Sequence, residues 1–191
     1  MPALPTVPPA PSTEDTVATP LLYPSAPAAA CRSTPASTDA APIARHRPCV
    51  VLDSNVWVDI VVFDDPLARP IRAALVAGQL DAVISPPCRE ELRRVLGYPQ
   101  FARFTVDIEA ALAWVDSVTR RLDPAIASAP RLPRCSDTDD QKFLELAQGA
   151  AAHYLVSKDK AVLKLRRRMA QVAGVTVLKP ADFVTQAALT P

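Results

Sequence analysis

The distribution of proline divides this chain into two parts of different character. The sequence has 21 prolines and 4 glycines, and 11 of the prolines precede residue 49. Proline has no amide hydrogen to donate, so a proline-rich segment cannot build a continuous helix or an interior strand. Residues 1–47 also show no apolar period and cannot bury enough surface to offset the entropy of ordering. We therefore expect a disordered Pro/Ala-rich tail at residues 1–47 and one folded domain at residues 48–188.

The overall charge and hydrophobicity exclude several broad classes of protein. Of the 191 residues, 49% are hydrophobic and 21% charged, and the net charge is +1, which suits one soluble core. The apolar stretch from Val56 to Phe63 is interrupted by Asp59 and is far shorter than the roughly 18 residues of a membrane span. The N-terminus lacks the basic region and the apolar core of a signal peptide. We expect a cytoplasmic protein with no membrane partner.

The cysteines follow neither a disulfide nor a zinc pattern. The sequence contains no CxxC pair, and its two histidines do not stand near the cysteines at zinc-ligand spacing. The residues concerned are Cys31, Cys49, Cys88, Cys135, His46 and His153. We expect reduced and mostly buried thiols.

After residue 48, short apolar runs alternate with helical periods, which predicts a parallel sheet with right-handed crossovers and helices on both faces. The predicted strands are 49–52, 81–84, 154–156 and 175–178. The predicted helices are 66–77, 86–96, 107–122, 138–151 and 181–188. The fold class is therefore α/β, a three-layer α/β/α sandwich with a central parallel sheet.

Two aspartates stand at the ends of predicted strands. Asp53 directly follows the first strand, and Asp159 closely follows the strand 154–156. The carboxyl ends of parallel strands share one edge of a sheet, where α/β proteins bind ligands. We therefore expect Asp53 and Asp159 to lie close together. The alternative for each is a cap on the helix that follows its strand.

Helical phase selects a third acid. Glu91 lies three residues after Cys88 and four before Val95, on the face that its helix buries. Its neighbour Glu90 is expected to pair with Arg94 on the solvent side. An acid on an apolar face is costly unless a charge meets it, so Glu91 is a candidate site residue.

The same reasoning selects a fourth acid. Asp140 precedes the apolar Phe143 and Leu144 by three and four residues, so we expect it to point inward. Asp139 is turned aside by about 100°, given 3.6 residues per turn. Asp137 is expected to precede the helix and cap it.

These four acids, with no matched arginine on the same faces, would repel one another and take up protons. A divalent cation removes that cost. Oxygen ligands suit Mg²⁺ or Mn²⁺, and two such ions about 3.5 to 4 Å apart can clamp the oxygens of a phosphodiester. The pattern predicts metal-dependent phosphoryl chemistry. Asn55, two residues after Asp53, either reaches the same edge or starts the helix.

Four segments of the sequence are similar to a known family. The segments are Val51–Val56, Glu91–Leu96, Asp137–Ala147 and Tyr154–Asp159. They resemble, in order, the four acidic motifs of PIN domains, and the likeness extends over about residues 49–185. The resemblance is greatest to the bacterial PIN domains described as toxin components of toxin–antitoxin systems.

The resemblance implies an α/β/α sandwich and a Mg²⁺- or Mn²⁺-dependent endoribonuclease that cuts RNA with metal-activated water. The implied metal ligands and catalytic residues are Asp53, Glu91, Asp140 and Asp159, and the implied supporting residues are Asn55 and Ser157. An RNA substrate, a cognate antitoxin and a second copy of the chain are the candidate partners.

Basic residues cluster directly after the fourth acid. They are Lys158, Lys160, Lys164, Arg166, Arg167 and Arg168. Such a cluster can neutralise RNA phosphates beside a metal site. The alternative is a solvated helix face.

Other functions remain open at this point. A catalytically silent PIN-like domain that binds RNA or protein would be marked by loss of an acid, and all four are present. A haloacid-dehalogenase-like phosphatase needs a second aspartate where the chain has Asn55. A phosphorylated receiver-like switch would need paired acids ahead of Asp53.

Overall fold

The computed structural model describes residues 47–122 and 132–189 of the chain. The predicted tail at residues 1–47 lies, except for Arg47, outside the described residues. The disordered tail and the domain boundary near residue 48 therefore stay predictions.

Five parallel strands form the central sheet. They are β1 (Cys49–Leu52), β2 (Asp81–Ile84), β3 (Thr119–Arg121), β4 (Tyr154–Val156) and β5 (Thr176–Leu178). The order across the sheet is β3-β2-β1-β4-β5, and each neighbouring pair is parallel. All of β1 and most of β2 and β4 are buried, which is why these strands appear in the sequence as continuous apolar runs.

Helices cover the sheet. They are α1 (Ser54–Val61), α2 (Arg69–Val76), α3 (Pro86–Leu96), α4 (Ile108–Val118), α5 (Gln141–Gly149), α6 (Lys160–Lys164), α7 (Arg166–Ala173) and α8 (Pro180–Gln186), with a 3₁₀ helix at Pro99–Phe104. α3 packs against α1, α4 and α5, and α5 lies on β1 and β4. α8 contacts α2 and β4, while α6 and α7 contact β5. The predicted three-layer α/β/α sandwich is confirmed.

The strand order changes direction between β1 and β4. From β1 the chain builds β2 and β3 toward one edge, then returns to place β4 on the other side of β1. Leu52 and Val156, the last residues of these two strands, are partners in the register. The residues that follow them therefore emerge side by side, at the position where open parallel sheets bind ligands.

The end of the predicted helix 107–122 is wrong. α4 ends at Val118, and Thr119–Arg121 form the edge strand β3, in which Arg120 is the partner of Val83. The apolar spacing of Val118 and Leu122 fits a helix, but pairing with β2 satisfies the backbone of this segment. An exposed edge strand can carry basic side chains, so it does not show the apolar alternation by which strands are usually predicted.

α6 and α7 were not predicted, because their sequences are dominated by lysine and arginine. Only a narrow apolar stripe faces the core, formed by the buried Val162, Leu165 and Met169. Gly174 ends α7 with a φ of 68°, a left-handed conformation that glycine adopts without strain.

Three cysteines lie in the described part of the chain. Cys49, Cys88 and Cys135 are free and buried, as expected, and burial raises the pKa of Cys49 and of Cys88 to about 11. These two thiols are therefore unreactive and pack as small apolar groups. Among the helices of residues 47–122 and 132–189, none is long and apolar enough to cross a bilayer.

Candidate active site

Asp53 lies at the switch point of the sheet, directly after β1. Its backbone amide donates to the Val156 carbonyl at 3.0 Å, and its side chain is buried, with the residue only 3% exposed. The carboxylate oxygen Oδ2 accepts from Asn55 Nδ2 at 2.7 Å and from the Ser157 hydroxyl at 2.5 Å. Burial raises the pKa of Asp53, and the two hydrogen bonds oppose that shift.

Ser157 and Asn55 connect the two strand ends. The Ser157 hydroxyl donates to Asp53 and accepts from the Asp159 amide at 2.9 Å. Asn55 donates to Asp53 and accepts from the Lys158 amide at 3.2 Å. Asp53 is therefore held from both sides by the residues that the resemblance marks as supporting.

Asp159 begins α6. Its Oδ1 accepts from the Ala161 amide at 2.5 Å, so the capping role that its position after β4 allowed is present. The side chain is half-buried. A carboxylate has two oxygens, and one cap bond leaves the other available to a further partner.

Asp140 lies immediately before α5 and is half-buried, whereas Asp139 is exposed. The predicted difference between the two is observed, but its cause is not helical phase, because α5 begins only at Gln141. The turn before the helix orients both residues, and the Asp137 carboxylate accepts from the Asp139 amide at 2.9 Å within it.

The carboxylates around Asp140 act on one another. Its pKa is raised to about 7, first by burial and then by the negative charges of four surrounding acids. Those acids are, in decreasing order of influence, Asp53, Asp159, Asp137 and Glu91. The expected mutual repulsion is thus present at this edge of the sheet.

Glu91 lies on the inner side of α3, as its helical phase predicts, with a side chain 12% exposed. No arginine meets Glu91 in the described residues, as expected, but a cation that was not foreseen does, because the Lys142 ammonium of α5 contacts Glu91 Oε2. Oε2 is buried and accepts no hydrogen bond of normal geometry, so the contact is an ion pair. The exposed Glu90 pairs with Arg93 at 3.7 Å, and not with Arg94 as expected.

The chemistry of this donor set fits a hard divalent cation. Every candidate ligand is a carboxylate, and the raised pKa of Asp140 reflects a concentration of negative charge that such a cation would relieve. Over residues 47–122 and 132–189, no three acidic, histidine or cysteine side chains are already arranged around a common point to hold an ion.

Comparison with known families decides what kind of domain carries this site. The profile described as PIN domain matches residues 49–161, more than half of the chain. The chain belongs to the PIN domain family. PIN domains are generally nucleases, and PIN-domain nucleases generally use divalent metal ions. A search of curated proteins and a search of solved structures each returned no match.

Beside the acids, this PIN domain has a basic cavity, a pocket of about 490 Å³ that is widely open to solvent. Its lining residues are Lys160, Leu163, Lys164, Arg166, Arg167 and Lys179. Lys179 follows β5, so the cavity opens at the same sheet edge as Asp53 and Asp159, one strand further out. None of its five cations forms an ion pair with a residue of the described ranges.

Two members of the predicted basic cluster lie outside this cavity. The Lys158 ammonium pairs at 2.6 Å with Asp59, which is only 5% exposed on α1. Arg168 is exposed on α7 and does not line the cavity. In the basic cluster, Lys158 is thus a structural cation and Arg168 a solvated one, and the other members line the cavity.

Sequence reasoning missed two residues of this region. Lys179 directly follows a strand, so the rule that selected Asp53 would also have selected it. Lys142 has no such signal, because its partner Glu91 lies 51 positions earlier, on a helix whose packing against α5 only the fold reveals.

Proposed function

We propose that this PIN domain is a metal-dependent endoribonuclease that hydrolyses RNA phosphodiester bonds. The observation that carries the proposal is the convergence of the acids at the switch point, where the Ser157 hydroxyl joins Asp53 to the Asp159 amide and Asp140 lies in the negative field of both carboxylates. Repulsion between these acids lowers the stability of the fold unless a bound ligand offsets it. Because the acids lie at the edge where open parallel sheets bind ligands, the repulsion favours a function in which they bind a cation.

In this proposal Mg²⁺ or Mn²⁺ is held by Asp53, Glu91, Asp140 and Asp159. The bound ion would supply an activated water and stabilise negative charge on the phosphate. Asn55 and Ser157 orient the Asp53 carboxylate and keep its oxygen Oδ2 in place through their hydrogen bonds. Fixing that carboxylate in advance reduces the reorganisation needed when the ligand binds.

We assign the RNA backbone to the basic cavity. One strand away from the acids lie its cations, which form no ion pair within the described residues: Lys160, Lys164, Arg166, Arg167 and Lys179. Phosphates are the strongest attraction that RNA offers to lysine and arginine, and each neutralised phosphate releases counterions. A strand that crosses the acidic edge would place neighbouring phosphates over these side chains.

We extend the proposal to a toxin role, on the likeness of the four acidic motifs to bacterial toxin components. An antitoxin would then cover the acidic edge, and a second copy of the chain could form a homodimer. Induced expression should arrest growth of the host, and co-expression of a protein encoded beside the gene should relieve the arrest. Growth arrest that persists unchanged in the Asp53→Asn variant would contradict this role.

One observation favours a second candidate function, a catalytically silent domain that binds RNA or protein. Lys142 already neutralises Glu91, as a cation does in a site that has lost its metal. This candidate keeps the basic cavity and predicts RNA binding without cleavage.

The deciding experiment measures cleavage of a labelled RNA by the purified chain with Mg²⁺, with Mn²⁺ and with EDTA. We expect cleavage with at least one of the metals, none with EDTA and a strongly reduced rate for Asp53→Asn. Cleavage that survives chelation would contradict metal dependence. RNA binding without cleavage under every metal condition would establish the silent candidate.

A further inference from the structure

The Lys142 ammonium lies among the acids that we assign to the metal. Lys142 is the second residue of α5, two positions after Asp140, and its ammonium contacts the Glu91 carboxylate of α3. Both side chains are largely withdrawn from solvent, at 22% exposed for Lys142 and 12% for Glu91. The ammonium also lies 5.5 Å from the Phe143 ring centroid. This ion pair therefore differs from a solvated surface contact.

The pair solves an electrostatic problem of the metal-free protein. A desolvated carboxylate is costly unless a cation meets it, and removal of one member of a buried pair leaves that cost exposed. Glu91 also contributes to the negative field on Asp53 and Asp140. Lys142 reduces this field without any bound ion.

The same pair opposes a divalent cation. An ion held by Glu91 would lie close to the Lys142 ammonium, and two cations at short range in a partly buried site repel each other. The ammonium contacts only Oε2, but its repulsion of an ion on the same carboxylate makes it unfavourable for Glu91 to hold both cations at once.

We propose that Lys142 is an internal counter-ion of Glu91 that a divalent cation must displace, which lowers the metal affinity of the site. The inference rests on the proposed function, because it takes Glu91 as a metal ligand. Lys142 is in this view a positioning residue. It holds Glu91 in the metal-free state and leaves it when the metal enters.

Calorimetric titration with Mg²⁺ and with Mn²⁺ tests the competition without any catalysis. Lys142→Gln removes the charge and keeps a long polar side chain. We therefore expect this variant to bind the metal about tenfold more tightly than wild type. Lys142→Arg keeps a cation and should bind like wild type. Arg120→Gln is the control, because its guanidinium pairs with Asp81 at the opposite end of the strands and not with Glu91.

Chemical labelling tests the displacement in the unaltered chain. Lysines are acetylated for a short time with and without Mg²⁺, and the modified peptides are quantified by mass spectrometry. Lys142 should react slowly without metal and several-fold faster with it. Lys164, which is exposed at the end of α6 and does not adjoin an assigned ligand, serves as the internal standard.

The outcomes separate this inference from the proposed function. If the wild-type chain binds the metal but neither the affinity of Lys142→Gln nor the labelling of Lys142 changes, the competition is refuted and the nuclease proposal stands. If Lys142→Gln binds the metal more weakly than wild type, Lys142 supports the site and the inference is also wrong. If neither wild type nor Lys142→Gln binds a divalent cation, the metal site itself is wrong.

Discussion

Charges are arranged in opposite ways at two parts of this PIN domain. Around α3, α4 and β3 they are matched in pairs, as Arg89 is with Asp116 through three hydrogen bonds of 2.7 to 3.0 Å. At the carboxyl ends of β1, β4 and β5 they are largely segregated instead, with acids around Asp140 and, in the basic cavity, cations that form no ion pair with any residue the structure describes. Matched charges stabilise a fold by themselves, whereas segregated charges need ligands of the opposite sign.

The pKa directions record the same difference. The Arg89 guanidinium, through its hydrogen bonds, lowers the pKa of Asp116. Burial and neighbouring acids raise the pKa of Asp140 to about 7. The folded state therefore favours the charged form of Asp116 and disfavours the charged form of Asp140, each compared with the unfolded chain.

The largest expected effect is on catalysis at the segregated edge. Asp53→Asn should lower the rate of metal-dependent RNA cleavage by about 10²-fold or more, because it removes a charged ligand. Asp81→Asn is the matched control, since Asp81 begins β2 at the opposite end of the strands and pairs with Arg120. The rate of Asp81→Asn should equal that of wild type. Equal rates for Asp53→Asn and Asp81→Asn would remove the distinction between the two regions.

The next effect is on RNA binding by the basic cavity. The double variant Lys164→Gln/Arg167→Gln should weaken binding by about tenfold, and each lost phosphate contact should reduce the salt slope by about 0.7. Arg120→Gln/Arg168→Gln removes two cations outside the cavity and should leave both nearly unchanged. Fluorescence anisotropy of labelled RNA, measured in an Asp53→Asn background, reports the two quantities. Equal losses for the two double variants would show that only the net charge matters.

A smaller effect concerns the pH dependence of stability. Because the folded-state pKa of Asp140 is raised to about 7, the folded chain binds more protons than the unfolded chain above about pH 4. Asp140 therefore lowers stability as pH rises from about 4 to 7, and its effect is constant above that. Denaturant titrations of the metal-free protein across this range should show the decline, and Asp140→Asn should reduce it. An unchanged slope in Asp140→Asn would contradict the raised pKa.

The smallest effect is expected in the matched region. Arg89→Gln should reduce the free energy of unfolding by about 0.5 to 1 kcal/mol, as for a partly exposed ion pair. Since the pKa of Asp116 is lowered, this contribution is present at neutral pH and is lost as pH falls through that pKa. Denaturant titrations of both proteins at pH 7 and at pH 3 should show a smaller difference at pH 3 than at pH 7. A difference of equal size at pH 3 would mean that Arg89 stabilises by packing alone.

Much of the fold could be predicted, because buried parallel strands appear in the sequence as continuous apolar runs. β1, β2 and β4 were located in this way, as was the position of Asp53 after a strand. β3 could not be, because it is an edge strand with two arginines in three residues. Whether Thr119–Arg121 continues α4 or pairs with β2 depends on the neighbouring strand, which local sequence does not contain.

The positions of the acids in the candidate site were predictable from the sequence, but their cationic partners were not. Helical phase correctly placed Glu91 on the inner face of α3, since that face is a local property of one helix. The contact between Lys142 and Glu91 depends on how α3 and α5 pack, and the pairing of Lys158 with Asp59 depends on how β4 lies beside α1. Ion pairs between residues far apart in the sequence depend on how the helices and strands pack, and only the structure shows that packing.

Binding of Mn²⁺ to wild type, Asp53→Asn and Asp81→Asn, measured by calorimetry at pH 7.5, tests most directly whether the segregated acids form a cation site. We expect wild type and Asp81→Asn to bind with the same affinity and Asp53→Asn to bind at least about tenfold more weakly. No binding to wild type, or equal affinities for all three proteins, would contradict the account.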